Sequence, residues 1–238
     1  MTEADWLACT TRPADMLRQV ARTAAARKLQ LLGCACCRLV WEHIPEVGAA
    51  AVTDLERCYD GPAAGMPSPA ARSELVRAFT RAAETDGDSV GYAGLAAAYA
   101  VVLSLPAGGL GACLQYTQAA VARAAPAGQK DAAGRRVRRQ LCDLFREVIG
   151  NPFRPWKAVP DFLGGGVVQP DGRTARPTES VRHLARGIQA EQAFDRLPIL
   201  ADALEEAGFT DPELLDHCRR PGGHVRGCWA LDVALGRT

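Results

Sequence analysis

The chain has 238 residues, 48% of them hydrophobic, so it can bury a core large enough to fold without disulfide or metal staples. Its formal net charge of +1 excludes a strong overall attraction to acidic partners, and any basic site must be a local patch. No apolar run approaches the roughly 20 residues that span a bilayer and no secretory leader opens the chain, so we expect a cytoplasmic protein with reduced cysteines.

The N-terminal part predicts a series of helices. Thr2, followed three residues later by Asp5, indicates a helix start. A helix beginning near residue 27 carries the segment LLGCACCRLVWEHI and is expected to continue until Pro45 stops it. The abundance of alanine and the scarcity of aromatic residues favour closely packed helices over a sheet.

The clearest predicted helix covers residues 135–150. Its apolar side chains fall on one stripe, and Gly150 supplies a stop. The stripe consists of Val137, Leu141, Leu144, Phe145 and Val148. Residues 151–177 are rich in proline and glycine, which forbids a regular helix there. We therefore divide the chain into an N-terminal helical section (1–150), a connector (151–177) and a C-terminal helical section (178–238).

The C-terminal section also predicts helices only. One helix is expected from 178 to 192, Asp195 is expected to cap the next, and Thr210 with Glu213 indicates a capping box for a third. The last helix is expected from 224 to 235. No segment shows strand-like alternation, so the predicted fold is an all-α multi-helix bundle whose C-terminal section packs on the N-terminal one.

Several separated segments resemble a family of uncharacterised proteins from planctomycete bacteria. Its members open with a MTEAEWLAC-like stretch and carry an ACACCR-like segment, which here read MTEADWLAC and GCACCR. The segments NPFRP, AFDRLPILADALEEAG and HVRGCW agree in the same order. The resemblance implies no activity, cofactor or catalytic residue.

Two pairs of possible ligands, each with helical spacing, suggest a metal site. Cys34 and Cys37 are three residues apart on the flank of their helix, whereas Cys36 lies in the middle of the apolar stripe and is expected in the core. His224 and Cys228 are four apart, on one face of the predicted last helix. A zinc ion bound by Cys34, Cys37, His224 and Cys228 is the resulting hypothesis.

The alternative to a metal is packing, because small cysteines allow close helix contacts in an alanine-rich protein. A redox role for Cys34 and Cys37 is disfavoured, since a C-x-x-C motif normally opens a helix after a strand. Asp216, His217 and His224 form the densest polar cluster, near the PGG turn. The sequence places no nucleophile or metal there.

A row of arginines on one helix, called the basic ridge below, suggests nucleic acid as a partner. Arg135, Arg139 and Arg146 are predicted on the helix face opposite the apolar stripe, where they could contact phosphate groups of a nucleic acid. Such a ridge is more often a solvated face, and no helix-turn-helix pattern accompanies it.

No catalytic motif is present: the sequence has no P-loop, no dinucleotide fingerprint, no G-x-S-x-G and no H-E-x-x-H. The preferred interpretation is therefore a non-catalytic interaction or adaptor module with an unknown protein partner and no cofactor. A zinc-stabilised protein and a nucleic-acid-associated protein are the alternatives.

Overall fold

Helices make up most of the chain in a computed structural model, which describes residues 1–60, 68–86, 89–103, 106–159 and 166–237. The predicted all-α class is confirmed. The chain divides into two compact units, Met1–Arg146 and Glu147–Thr238. Part of the predicted connector, residues 160–165, lies outside the described residues.

Eight α-helices begin in the described part of the first unit. They are α1 (Glu3–Ala8), α2 (Pro13–Val20), α3 (Ala26–Arg38), α4 (Glu46–Asp60), α5 (Pro69–Asp86), α6 (Val90–Leu103), α7 (Pro106–Ala124) and α8 (Lys130–Ile149). The predicted start of α1 is confirmed, because the Thr2 and Asp5 side chains form a reciprocal capping box. The predicted stripe of α8 is confirmed as well, since Val137, Leu141, Phe145 and Val148 are at most 1% exposed.

Close helix contacts in the first unit depend on small side chains. Helix α3 packs against α4, α6 and α7, and α6 is lined by buried alanines. A Cβ atom on Gly94 of α6 would lie 2.3 Å from the carbonyl oxygen of His43, so only glycine fits there. The prediction that α3 runs to Pro45 was wrong, because α3 ends at Arg38 and a 3-10 turn, Trp41–His43, follows.

The second unit, as far as it is described, adds a small sheet and four helices to the end of α8. These are β1 (Lys157–Ala158), β2 (Val167–Val168), β3 (Thr174–Ala175), α9 (Glu179–Glu191), α10 (Leu197–Glu206), α11 (Pro212–Arg219) and α12 (Trp229–Ala234). The strands pair antiparallel in the order β1-β2-β3. Two-residue strands are too short to show alternation, which is why the sequence did not reveal them.

Three helix ends differ from those predicted. Helix α10 starts after a 3-10 turn without a side-chain cap, so Asp195 does not cap it. The cap of α11 is Asp211, whose side chain accepts a hydrogen bond from the Leu214 amide, and not Thr210. Helix α12 begins at Trp229, so His224 and Cys228 lie in the preceding loop.

The core of the second unit brings the connector against its helices. Val167 of β2 is buried, and the ring of Trp156 lies 6.2 Å from Phe209 and 6.3 Å from Trp229. The connector residues that the structure describes are therefore part of this unit and not a free linker. None of the described helices is long and apolar enough to cross a membrane.

Candidate metal centre

Four side chains of the second unit converge on one small volume. One ligand atom from each of Glu147, His217, His224 and Cys228 lies within 4.8 Å of the others. The four side chains are almost entirely buried, with exposed fractions of 2%, 7%, 3% and 0%. These are the ligand types that zinc prefers in proteins.

Three neighbouring elements bring the group together. Glu147 lies in the last turn of α8 and His217 in α11, whereas His224 and Cys228 belong to the loop between α11 and α12. That loop turns through Gly222 and Gly223, both at positive φ (71° and 77°), where glycine has no steric penalty. Residues 221–223 are exposed, so the loop that carries His224 and Cys228 lies at the surface of the unit.

Glu147 is the acceptor at the centre of the group. Its Oε1 lies 3.1 Å from Nδ1 of His224, and its Oε2 lies 3.0 Å from Nη2 of Arg220 and 3.4 Å from Nε2 of His217. Burial acts to raise the pKa of Glu147, but the hydrogen bonds and charges of the two histidines outweigh it and lower the pKa to about 2. The carboxylate is therefore charged at neutral pH.

His224 is held in the orientation that metal-binding histidines commonly have. Its Nε2 lies 3.1 Å from the carbonyl oxygen of Arg220, to which it can only donate. Nδ1 is then the nitrogen left to face Glu147 and an ion. Burial opposes the charged form, yet the hydrogen bond and charge of Glu147 prevail and raise the pKa of His224.

Trp229 sets the proton position of His217 in the metal-free protein. Its indole nitrogen, which is a donor only, lies 3.2 Å from Nδ1 of His217. Neutral His217 therefore carries its proton on Nε2, which lies 3.2 Å from Sγ of Cys228. Burial lowers the pKa of His217, and Glu147 only partly offsets this.

Cys228 and His217 are as close as the nucleophile and general base of a catalytic pair, but His217 has its proton on the wrong nitrogen to act as the base. A general base must have its accepting nitrogen toward the thiol, whereas Nε2 of His217 carries the proton. Burial also raises the pKa of Cys228 far above its ordinary value, and the side chain is 0% exposed. The group is therefore poorly suited to covalent catalysis.

The spacing and charge of the group suit a tetrahedral ion. Zinc bonds of about 2.0–2.3 Å place tetrahedral ligand atoms about 3.3–3.6 Å apart. Three contacts in the group measure 3.1, 3.2 and 3.4 Å, the first through Oε1 of Glu147 and the third through Oε2. All ligand pairs lie within 4.8 Å, so the side chains would have to draw closer together around an ion. Two anionic ligands, the Glu147 carboxylate and a Cys228 thiolate, would neutralise the two charges of the ion, which removes most of the cost of burying it.

Only half of the sequence-predicted metal set belongs to this group. His224 and Cys228 are members, whereas Cys34 and Cys37 lie in the first unit. Both are buried (1% and 0% exposed), and Sγ of Cys37 lies 3.9 Å from Sγ of Cys113 in α7. Their predicted flank is thus a contact between helices. Cys36 is 0% exposed, which confirms its core position.

The three arginines of the predicted basic ridge are not equally exposed to solvent. Arg135 and Arg139 are exposed on α8. Arg146 is 21% exposed, and its Nη1 donates to the carbonyl oxygens of Trp6 and Cys9 at 2.9 Å each. Arg146 thus has a structural role within the first unit, and nucleic-acid binding stays a prediction carried by the other two arginines.

The sequence patterns left Glu147 out of the site and assigned His217 no ligand role. The signal for Glu147 was weak: it lies three residues from Leu144, at the edge of the apolar stripe of α8. His217 belonged to the densest polar cluster, and α11 does turn it inward. This chain matches no family model, no curated protein and no solved structure.

Proposed function

We propose that this is a zinc-binding protein in which one ion, held by Glu147, His217, His224 and Cys228, stabilises the second unit. The convergence of these four buried side chains within 4.8 Å of one another is the observation that supports it. Their burial favours a structural over a catalytic ion, because a catalytic zinc keeps a position open to water and substrate. Calcium and magnesium are disfavoured because they avoid thiolate ligands.

Zinc binding requires the Cys228 thiol and Nδ1 of His224 to give up their protons to solvent, and it also requires two local rearrangements. The Nε2 proton of His217 must move to Nδ1, which breaks the hydrogen bond from Trp229. Losing that bond costs about 1–3 kcal/mol, whereas structural zinc contributes about 10–16 kcal/mol in small domains. Arg220 must also leave Glu147, and its side chain is 54% exposed, so it can turn into solvent. The gain expected from the ion exceeds the cost of that bond, and it decreases as the pH falls because the ligands must lose their protons.

A structural ion agrees with the non-catalytic role inferred from the sequence. A fixed second unit would then serve as a rigid surface for an interaction or adaptor function with an unknown protein partner. The large apolar side chains exposed among the described residues are Leu7, Val76 and Ile199. Scattered positions of this kind are ordinary and do not identify a partner.

Metal analysis of the full-length protein tests the proposal. We expect one zinc per chain, lost from Cys228→Ser and from His224→Gln. Cys218→Ser is the matched control, because Cys218 is 0% exposed in the same unit but is not a member of the group. Cobalt substitution should give sulfur-to-metal absorption in the wild type and in Cys218→Ser but not in Cys228→Ser.

Two further measurements separate this site from the sequence-derived one. The double variant Cys34→Ser/Cys37→Ser should keep its zinc, whereas the sequence-derived set requires that it lose it. Zinc should also change the tryptophan fluorescence of this double variant, because the indole of Trp229 loses its hydrogen bond to His217. A folded wild-type protein that neither contains nor binds zinc or cobalt would leave the group as a hydrogen-bonded ion-pair network and overturn the proposal.

A further inference from the structure

A second pair of cysteines, outside the metal centre, lies in contact within the first unit. Sγ of Cys9 and Sγ of Cys142 are 3.7 Å apart, although 133 positions separate the residues in the chain. Cys9 is the C-terminal cap of α1, and Cys142 lies on the inward face of α8. No sequence pattern pairs them, since neither belongs to a spaced motif.

The backbone around Cys9 is already fixed against α8. Nη1 of Arg146 donates to the carbonyl oxygens of both Trp6 and Cys9 at 2.9 Å. Arg146 is four residues after Cys142, so it lies one turn along the same helix face. The ring of Trp6 also meets Phe145 edge-on at 6.2 Å. The two thiols are therefore held close together by contacts that do not involve sulfur.

We propose that Cys9 and Cys142 are a redox site, at which a peroxide converts the two thiols into a disulfide bond that links α1 to α8. The sulfur of Cys9 attacks one peroxide oxygen, the O–O bond breaks, and water and a sulfenic acid form. The sulfur of Cys142 then attacks the sulfur of Cys9, the S–O bond breaks, and a second water leaves. Two cysteines are oxidised and one hydrogen peroxide is reduced, with both thiol protons ending in water.

The exposure of each thiol to peroxide decides the order of the two steps, and the distance between the sulfurs decides whether the bond can form. Cys9 is 5% exposed and Cys142 is 0% exposed, so the peroxide meets Cys9 first. Burial raises the pKa of Cys142 to about 12, which also disfavours its direct oxidation. Closing 3.7 Å to a bond of about 2 Å needs a side-chain rotation of modest size.

Another contacting pair provides an internal comparison. Sγ of Cys37 and Sγ of Cys113 are 3.9 Å apart, a separation similar to that of Cys9 and Cys142. Both residues are 0% exposed, and the Cys113 thiol also lies 3.7 Å from the carbonyl oxygen of Gly33. Proximity alone would oxidise both pairs, whereas access predicts that Cys9 and Cys142 react first.

Treatment of the folded, full-length protein with hydrogen peroxide tests the proposal, with disulfides mapped by mass spectrometry of unreduced peptides. We expect a Cys9–Cys142 link and the loss of two hydrogens before any Cys37–Cys113 link appears. Amide hydrogen exchange in residues 3–9 should slow by about tenfold on oxidation and recover on reduction.

One variant of the proposed pair and one control variant complete the test. In Cys142→Ser the sulfenic acid on Cys9 cannot be resolved, so dimedone should label Cys9, and exchange in residues 3–9 should not slow. Cys37→Ser should form the Cys9–Cys142 link as the wild type does. A Cys37–Cys113 link that appears before the Cys9–Cys142 link, or a Cys9 that stays reduced once the Cys37–Cys113 link has formed, would overturn the proposal.

Discussion

Glu147 and His224 form a buried contact, with Oε1 of the carboxylate 3.1 Å from Nδ1 of the imidazole. The contact joins the last turn of α8 to the loop before α12, across 77 positions of sequence. A carboxylate can be kept there only if neighbouring positive groups, such as Arg220 and protonated His224, or a metal ion compensate its charge. The same atoms can therefore hold the unit together with or without zinc, and the two states differ in what occupies the space between them.

Removing the charge of Glu147 should destabilise the metal-free protein. Glu147→Gln preserves the size of the side chain but leaves Arg220 and His224 without their buried counter-charge. Breaking a buried pair in this way costs about 3–5 kcal/mol. Urea unfolding followed by circular dichroism, with a chelator present, measures the free energy of unfolding.

The matched control for this variant is Glu206→Gln, since Glu206 is exposed on α10 and lies outside the group. We expect it to change the free energy of unfolding by less than about 0.5 kcal/mol. Equal losses from the two variants would show that Glu147 has no special role in stability.

Chelation should lower the thermal unfolding midpoint of the wild-type protein, and added zinc should restore it. Binding to the folded state alone contributes about 4 kcal/mol when free zinc exceeds the dissociation constant a thousandfold. Differential scanning calorimetry with and without chelator measures the shift. Cys228→Ser should show the low midpoint under both conditions, whereas an equal chelator effect in wild type and Cys228→Ser would place the ion elsewhere.

Features decided by neighbouring residues could be predicted from the sequence. The stripe of α8, the capping box of Thr2 and Asp5, and the boundaries of α9 all follow from spacings of three or four residues. The end of α3 at Arg38 could not be predicted in this way, because the 3-10 turn that follows it packs on another helix, where the carbonyl oxygen of His43 leaves room only for Gly94.

The metal centre, like the fold, depends partly on local spacing and partly on contacts between residues that are far apart in the sequence. His224 and Cys228 were selected for their helical spacing, yet they lie in a loop and meet for a different reason. Glu147 joins them only because α8 ends beside α11 and the loop that follows it, which no local pattern encodes. Cys34 and Cys37 have suitable spacing, but α7 covers their side of α3 and brings Cys113 against Cys37.

Acid should destabilise the metal-free protein through Glu147. Its pKa falls from an ordinary 4.5 to about 2 in the folded protein, so the unfolded chain takes up the proton first. The stabilising contribution is complete above pH 4.5 and is lost as the pH falls toward 2. The shift corresponds to about 3 kcal/mol. Stability measured at pH 6 and at pH 3 should therefore differ less in Glu147→Gln than in the wild type, and equal differences would contradict the assignment.

Gly150 should be required both for stability and for the metal centre. It ends α8 at φ +76°, and a Cβ atom there would lie 3.1 Å from Cγ of Trp229. Gly150→Ala should cost about 2 kcal/mol from the left-handed backbone alone. It should also weaken zinc binding, because a shift that relieves the clash moves either Trp229, next to the ligand Cys228, or the end of α8, which carries Glu147.

The comparison variant for Gly150→Ala is Gly187→Ala. Gly187 lies inside α9, and no described atom outside its own helix turn is within 4 Å of where an added methyl group would lie. Alanine there should raise the free energy of unfolding by about 0.5–1 kcal/mol, since it restricts the unfolded chain and favours the helix. Denaturant unfolding and zinc titration of both variants check the pair. If Gly150→Ala matched Gly187→Ala in stability and affinity, the contact of residue 150 with Trp229 would have no part in holding the centre.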